Sequence, residues 1–387
     1  MFNIQTLNKI SKYGTDNFDT AKYNVADEVA NPDAIMVRSA AMHDMEFAPN
    51  MLAIARAGAG VNNIPVDKCA EQGIVVFNTP GANANAVKEL VIAGLLISSR
   101  KVPEAMAWAQ TLKGNGAEVG KMVEKGKGQF AGPEIMGKTL GIIGLGAIGV
   151  LVANAAVSLG MKVVGFDPYL SVKAALGLNP AVKAVADVKE VYAAADYITI
   201  HVPFNADTKG TINNDTIALM KDGVRILNFA RGELVDSEAM ISALESGKVA
   251  AYVVDFPSDE VLGVNNVIAI PHLGASTPES EDNCAMMAAL ELIDYLENGN
   301  IKNSVNYPDA EMNAAGTKIC VLHKNIPDVI SQLTSVLGDA KINIDNMVSK
   351  SKKDYAYTML DAAGNIGDDI IGKLAAVDSV IKIRVIK

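Results

Sequence analysis

From about residue 102 to 274 the chain alternates short apolar runs with helical stretches, and within two residues of its end each run meets a glycine or a polar side chain. The runs 140–143, 163–166, 197–200, 226–229, 251–254 and 267–270 are too short for helices and too continuously apolar for half-exposed strands. They predict strands buried on both faces, and strands alternating with helices predict a parallel, doubly wound α/β sheet of the Rossmann type. The residues just past them are Gly144, Asp167, His201, Ala230-Arg231, Asp255 and His272. Ligands of open α/β sheets bind beyond the carboxyl ends of the strands, so these positions fall on the functional edge.

The first hundred residues read as a second α/β unit, with strands near 35–37 and 75–77 and a helix over 85–99. Gly58-Ala59-Gly60 reads there as a strand-end turn rather than a phosphate cradle, and Gly114-Asn115-Gly116 as a loop. A long helix over 280–297, ended by Asn298-Gly299-Asn300, is long enough to return to that first unit. The expected division is a discontinuous substrate-binding domain over 1–100 and 275–306, with a nucleotide-binding domain over 101–274. A linker over 307–316 then leads to a terminal module over 317–387. Strands over 318–322, 343–350, 356–360 and 380–385 with helices over 327–339 and 368–377 give that module the order βαββαβ, a ferredoxin-like fold. Its size and position suit binding or assembly better than catalysis.

The turn after the first nucleotide-domain strand carries the most specific chemistry. Gly144, Gly146 and Gly149 follow the run 140–143 and open a helix. The first glycine permits a tight turn, the second lets the backbone approach a pyrophosphate, and the third lets helix and strand pack closely. The helix N-terminus supplies free N–H groups and partial positive charge. Asp167, 18 residues after Gly149 and at the end of the next run, stands where an acid holds a ribose 2′-hydroxyl. Its charge would repel a 2′-phosphate, so NAD is expected rather than NADP.

Composition narrows the class. With 387 residues, half of them apolar, the chain has room for two or three cored domains. No window of about twenty uncharged apolar residues occurs and the N-terminus is polar, so a soluble cytoplasmic protein without a membrane partner is expected. Cys69, Cys284 and Cys320 are too few and too scattered for a disulfide framework or a zinc site, and no metal is expected. A net charge of −10 argues against nucleic acid, while a small anionic substrate remains compatible with local arginines.

Arg231, Glu260 and His272 form a chemically complete set for hydride transfer from a hydroxy acid. Histidine titrates near neutrality and suits the hydroxyl proton. A glutamate on its other ring nitrogen would fix the tautomer and stabilise imidazolium. An arginine grips a carboxylate through two parallel N–H bonds. Each residue alone could equally be a surface cation, a solvated acid or a turn histidine.

The order Gly144 to Gly149, Asp167, His201-Val202-Pro203, Ala230-Arg231-Gly232, Asp255, Glu260, Pro271-His272 resembles the D-isomer-specific 2-hydroxyacid dehydrogenases, over nearly the whole chain. The resemblance implies Arg231 as carboxylate ligand, Glu260 as histidine partner and His272 as acid/base. It implies a cofactor lining of Thr79, Ala147, Ile148, Asp167, His201, Val202, Pro203, Thr208, Phe229, Ala230, Gly274 and Ala275, with Asp255 on the nicotinamide carboxamide. It implies Arg38, Ser39 and Asn83 on the substrate, Arg38 being the candidate for a phosphate. The terminal module resembles an ACT domain, and the combination implies oxidation of 3-phospho-D-glycerate at the entry to L-serine synthesis by a homodimer or homotetramer. L-Serine would be an effector at His323, Asn325 and Asn343, but Asp328 replaces the glycine usual after Pro327 and removes a close-approach position. The alternative for His323 and Asn325 is that they cap the helix starting near Pro327. Two other functions fit the same pattern: reduction of glyoxylate, hydroxypyruvate or another 2-keto acid, and NAD sensing by a corepressor-like protein.

Overall fold

The computed structural model describes residues 1–364 and 366–386. Its contacts divide into two units: Met1–Ala82 with the chain from Pro278 onward, and Asn83–Thr277. In the first unit β1 (Phe2–Leu7), β2 (Tyr23–Ala26), β3 (Ala34–Val37), β4 (Ala53–Arg56) and β5 (Val75–Asn78) form a parallel sheet in the order β2-β1-β3-β4-β5. That is the flavodoxin-like order. Three of these strands, β1, β2 and β4, escaped the sequence reading. The return helix Pro278–Asn298 buries Cys284, Ala288, Leu292 and Tyr295 in one core with Ile4, Met36 and Phe77.

The second unit carries β6 (Thr139–Ile143), β7 (Lys162–Phe166), β8 (Lys183–Val185), β9 (Tyr197–Ile200), β10 (Val224–Asn228), β11 (Val249–Val254) and β12 (Val267–Ala269). All pair in parallel, in the order β12-β11-β10-β9-β6-β7-β8. The chain reverses direction across the sheet between β6 and β9, which opens a crevice at their carboxyl ends. The helix Ala84–Arg100, placed by the sequence reading in the first domain, belongs to this unit. Its Val87, Val91 and Leu95 share a core with Leu140, Leu227 and Val253. A Cβ on its Gly94 would lie 2.8 Å from the Phe229 ring, so the glycine makes room for that contact.

The terminal module, β13 (Thr317–Lys324), β14 (Ile344–Lys352), β15 (Tyr355–Ala362) and β16 (Val380–Ile386), is antiparallel in the order β14-β15-β13-β16. Successive residues of β13 point to opposite faces, and both faces are covered. Ile319 and Val321 pack with Leu333, Leu337 and Leu374 of the module's own helices. Cys320 and Leu322, with Tyr357 and Met359, join the core of the five-stranded sheet. Cations complete the junction. Arg384 donates to the carbonyls of Tyr295 and Leu296 at 3.0 and 2.8 Å, and Lys318 Nζ donates to those of Asn298 and Met312 at 2.6 and 2.5 Å. The last carbonyls of a helix lack intrahelical donors and favour positive charge, so the contacts to Tyr295, Leu296 and Asn298 finish the return helix. The segment 307–316, expected as a linker, is also packed: Tyr307, Ala310 and Met312 are buried, and Tyr307 Oη donates to the Ala70 carbonyl at 2.7 Å.

The module is therefore part of the first unit's core. Tyr357→Ala, which empties a fully buried ring site and breaks the 2.6 Å bond to the Gly299 carbonyl, should cost about 3–5 kcal/mol. Native-state hydrogen exchange should then quicken in β1 and β3 as well as in β15. Faster exchange confined to the module would contradict a shared core.

Candidate active site

The glycine turn follows β6 as a close crossing of three backbone segments. Gly144 has φ +98°, a region that favours glycine, and its N–H donates to the Phe166 carbonyl at 2.8 Å. A Cβ on Gly144 would lie 2.6 Å from the His201 carbonyl oxygen, and one on Gly149 would lie 2.0 Å from that of Gly144. A Cβ on Gly146 would meet nothing within 4 Å. The turn is thus tight below and open above, where the helix Ala147–Ser158 begins with no side-chain cap and exposed Gly146 and Ala147. Asp167 closes the other side. Its carboxylate accepts the N–H groups of Leu145 and Tyr169 at 2.9 and 2.8 Å, which holds the loop after β7 against the turn. These features fit a dinucleotide: free N–H groups and an open backbone for pyrophosphate, and a fixed acid for ribose.

Arg231, Asp255 and His272 gather at the carboxyl ends of β10, β11 and β12. Asn228 shapes the first of these ends, donating to the Arg231 carbonyl at 2.8 Å and accepting from the Ala230 N–H at 3.2 Å. The exposed Arg231 donates to the Ala230 carbonyl at 2.7 Å, and its guanidinium carbon lies 5.1 Å from the centre of the Phe256 ring. The same ring lies 4.1 Å from that of His272, centre to centre. Both carboxylate oxygens of Asp255 are buried without a hydrogen-bond partner. Burial pushes its carboxyl up to about 6, against the opposing pull of the Arg231 charge. Gly274 lies beside it, where a Cβ would be 3.8 Å from Oδ2 and 3.2 Å from the Val87 side chain. Glu260 is exposed in the short turn Asp259–Val261, and its carboxyl is held below the ordinary range chiefly by a hydrogen bond from the Ser258 side chain.

The rest of the expected cofactor lining is spread along the same edge. His201 follows β9, with Nε2 3.0 Å from Thr199 Oγ1 and Nδ1 enclosed without a partner. Burial drives it down to about 3, so it is neutral in the working range. Val202 and Pro203 continue from it, and Thr208 ties this loop by donating to the Pro203 carbonyl at 2.6 Å. Phe229 is buried beneath Ala230, while Ile148 and Ala275 are half-buried. Asn83 flanks the start of the helix Ala84–Arg100 without capping it through its side chain.

The remaining expected residues lie in the first unit. Arg38 follows β3 and Ser39 is exposed beside it. Thr79, fully buried after β5, has an unpartnered hydroxyl, and its N–H donates to the Gly58 carbonyl at 3.1 Å. Arg56 was missed by the sequence reading. It ends β4 in register with Val37, and its Nε donates to the Arg38 carbonyl at 3.1 Å, so two arginines stand on adjacent strand ends. In the module the three effector candidates take separate partners. His323 is buried between the Lys324 carbonyl and Thr358 Oγ1 at 2.8 and 2.9 Å, and Asn325 donates to the Lys353 carbonyl at 2.9 Å. Asn343 donates to Asp345 at 2.5 Å. His323 and Asn325 do not cap the following helix. It starts at Val329 because Asp328 takes φ +72°, and no side chain caps it.

Residues 92–274 match the family model described as D-isomer specific 2-hydroxyacid dehydrogenase, NAD binding domain. The D-3-phosphoglycerate dehydrogenase of Archaeoglobus fulgidus is 37% identical over 294 residues, which are 73% of this chain and 53% of that protein. The D-3-phosphoglycerate dehydrogenase of Haemophilus influenzae is 32% identical over 355 residues, 88% of this chain and 83% of its own. Against the first relatives the chain spans about half their length, 53% and 56%. Among solved structures, NAD+-bound 3-phosphoglycerate dehydrogenase from Entamoeba histolytica aligns with a TM-score of 0.59 at 25% identity, covering 79% of this chain and 98% of that one. Among the described residues no helix is long and apolar enough to cross a membrane.

The charge of Asp255 is costly to the folded chain. Its carboxyl is raised from 3.8 to about 6, so the folded state is at its best below pH 3.8 with respect to this group and loses stability as pH rises through 6. Asp255→Asn should raise the melting temperature at pH 7, by the equivalent of ~1–3 kcal/mol, with little gain at pH 3.8 or below. The same substitution should weaken NAD binding in a calorimetric titration. A variant that melts lower at neutral pH would contradict the burial cost.

Proposed function

The chain belongs to the D-isomer-specific 2-hydroxyacid dehydrogenases, and from that premise we propose that it oxidises 3-phospho-D-glycerate to 3-phosphohydroxypyruvate with NAD, the first step of L-serine synthesis. The observation that carries this reading is the meeting of Arg231, Asp255 and His272 at three adjacent strand ends of a sheet that also bears the glycine turn. The names of the relatives supply the substrate.

When bound, NAD supplies an acceptor for the hydride leaving C2 of the hydroxy acid. The chain's residues do the rest. His272 takes the hydroxyl proton as the hydride departs, and Glu260 stabilises the resulting imidazolium. Arg231 holds the substrate carboxylate, its guanidinium carbon 5.1 Å from the Phe256 ring centre. The two orphaned oxygens of Asp255 would hold the nicotinamide through its carboxamide N–H groups, which would supply the buried carboxylate with the donors it lacks. Asp167 holds the ribose, with the lining around His201 to Thr208, Phe229, Ala230, Gly274 and Ala275 along the same edge. Arg38, Ser39 and Asn83 grip the substrate, Arg38 at the phosphate.

One observation favours a second reading. Arg38 Nη2 lies 2.7 Å from Glu281 Oε1, so the phosphate ligand already has a carboxylate on it. A reductase of glyoxylate, hydroxypyruvate or another 2-keto acid would not need that cation. For the module, a His323 with both ring nitrogens engaged and a left-handed Asp328 speak against an L-serine seat on His323, Asn325 and Asn343.

A homodimer or homotetramer is the proposed assembly. The helices Val102–Thr111 and Val119–Gly126 contain no buried residue, and Val102, Met106, Met122, Val123 and Met136 are exposed. Exposed apolar side chains on helices that bury none of their own residues suit a surface for another chain. Light scattering should give at least twice the 40.7 kDa chain mass, and Met106→Glu with Met136→Glu should shift it toward the monomer. A monomer at micromolar concentration would dispose of the assembly.

The catalytic reading is tested by following reduced nicotinamide with 3-phosphoglycerate and NAD, beside a panel of unphosphorylated hydroxy acids. His272→Ala should lower kcat by ~100-fold or more while leaving NAD affinity within a few-fold. An unchanged kcat would remove His272 from the reaction.

A further inference from the structure

The end of β3 presents donors to an anion, and each already has a protein oxygen in place. Arg38 reaches Glu281, both side chains somewhat over two-fifths exposed at 43% and 44%. An ion pair this open to water exchanges readily and is weak. The backbone beneath it is fixed from two sides. Arg56 Nε donates to the Arg38 carbonyl at 3.1 Å, and the successive N–H groups of Ser39 and Ala40 both donate to Asn8 Oδ1, at 2.9 and 2.7 Å. Asn8 holds a left-handed φ of +70° to do so. Glu281 comes from the first turn of the return helix Pro278–Asn298, beside Glu279, where the helix field favours a carboxylate. Arg38 and Glu281 therefore stand on two elements of one unit, the first presented by a pinned loop and the second by a helix start.

We propose that Glu281 is a specificity-determining residue: its carboxylate occupies the Arg38 guanidinium in the free protein and must be displaced by the substrate's phosphate. The pair then selects by charge. A carboxylate or other single negative charge merely replaces one like itself and gains little, whereas a phosphate dianion brings more charge and a third oxygen to the same fork. Asn8 is the positioning residue that keeps the loop in place while the exchange occurs. The inference deepens the reading of Arg38 as the phosphate seat and rests on it.

The test separates the two. Binding of inorganic phosphate is measured by calorimetry on the full chain, wild type and Glu281→Gln, each with and without Arg38→Ala. Removing the competing charge should tighten phosphate binding about two- to five-fold, the scale of an exposed ion pair, and should change nothing once Arg38 is gone. KM for 3-phosphoglycerate should fall by the same factor at similar kcat. Glu281→Ala, which removes the whole carboxylate arm, should act in the same direction and guards against a local effect of the glutamine. Phosphate binding that is unchanged or weaker in both variants overturns the proposal. Tighter phosphate binding in a protein that does not turn over 3-phosphoglycerate keeps the role of Glu281 and overturns the substrate reading. Turnover with KM and phosphate affinity indifferent to Glu281 keeps the substrate and overturns Glu281.

Discussion

Residue 149 sits so close to the carbonyl of Gly144 that a methyl group there would fall 2.0 Å from its oxygen. That approach sets the helix Ala147–Ser158 against the end of β6, the strand from which the sheet runs both ways. The same turn lies against the His201 carbonyl at the end of β9, so the two strands that flank the reversal of chain direction are locked at their carboxyl ends. Everything downstream on that edge inherits this anchor. With the turn fixed, the uncapped helix start faces the crevice, and strands β10 to β12 follow in register on one side of it.

Asp255 shows how function departs from stability on this edge. A buried carboxylate with no partner on its oxygens is an expensive arrangement, and burial pushes its carboxyl above the ordinary range. A structure selected for stability alone would place an asparagine or an apolar side chain there. The cost is offset only when a ligand brings donors, so the free energy withheld from folding becomes available for orienting that ligand. His201 illustrates the opposite solution. It is enclosed as well, but it stays neutral and settles one nitrogen on Thr199.

Legibility in the sequence followed the chemistry of burial. The nucleotide strands showed as unbroken apolar runs because both faces of a parallel sheet are covered, and their polar ends therefore stood out as Arg231, Asp255 and His272. The edge strand β8, Lys-Ala-Val and largely exposed, carries no such run. In the first unit, β4 is Ala-Ile-Ala-Arg, buried through alanines that give little hydrophobic signal. Missing that strand also hid Arg56, because a strand-end arginine is recognised only once the strand is. The helix Ala84–Arg100 was visible as a helix, but its Gly94 contact with Phe229 is a tertiary fact that no local pattern encodes. Asp328 displaced the start of the helix Val329–Asp339 by adopting a conformation for which its residue type gives only a weak hint.

The junction of module and first unit extends the same reasoning to regulation. A module meant to move freely would be expected to present a polar face to its neighbour, yet Cys320, Leu322, Tyr357 and Met359 share a core with Ile4 and Phe77. The cations at its rim supply donors to carbonyls at the end of the return helix, so separating the two would strand backbone oxygens as well as expose apolar surface. That helix carries Glu281 in its first turn and ends under Arg384 and Lys318 in its last. A ligand on the module could therefore bias the Arg38 pair only by straining a packed helix, not by releasing a domain. Coupling of that kind is expected to be small and graded, since a packed core resists displacement.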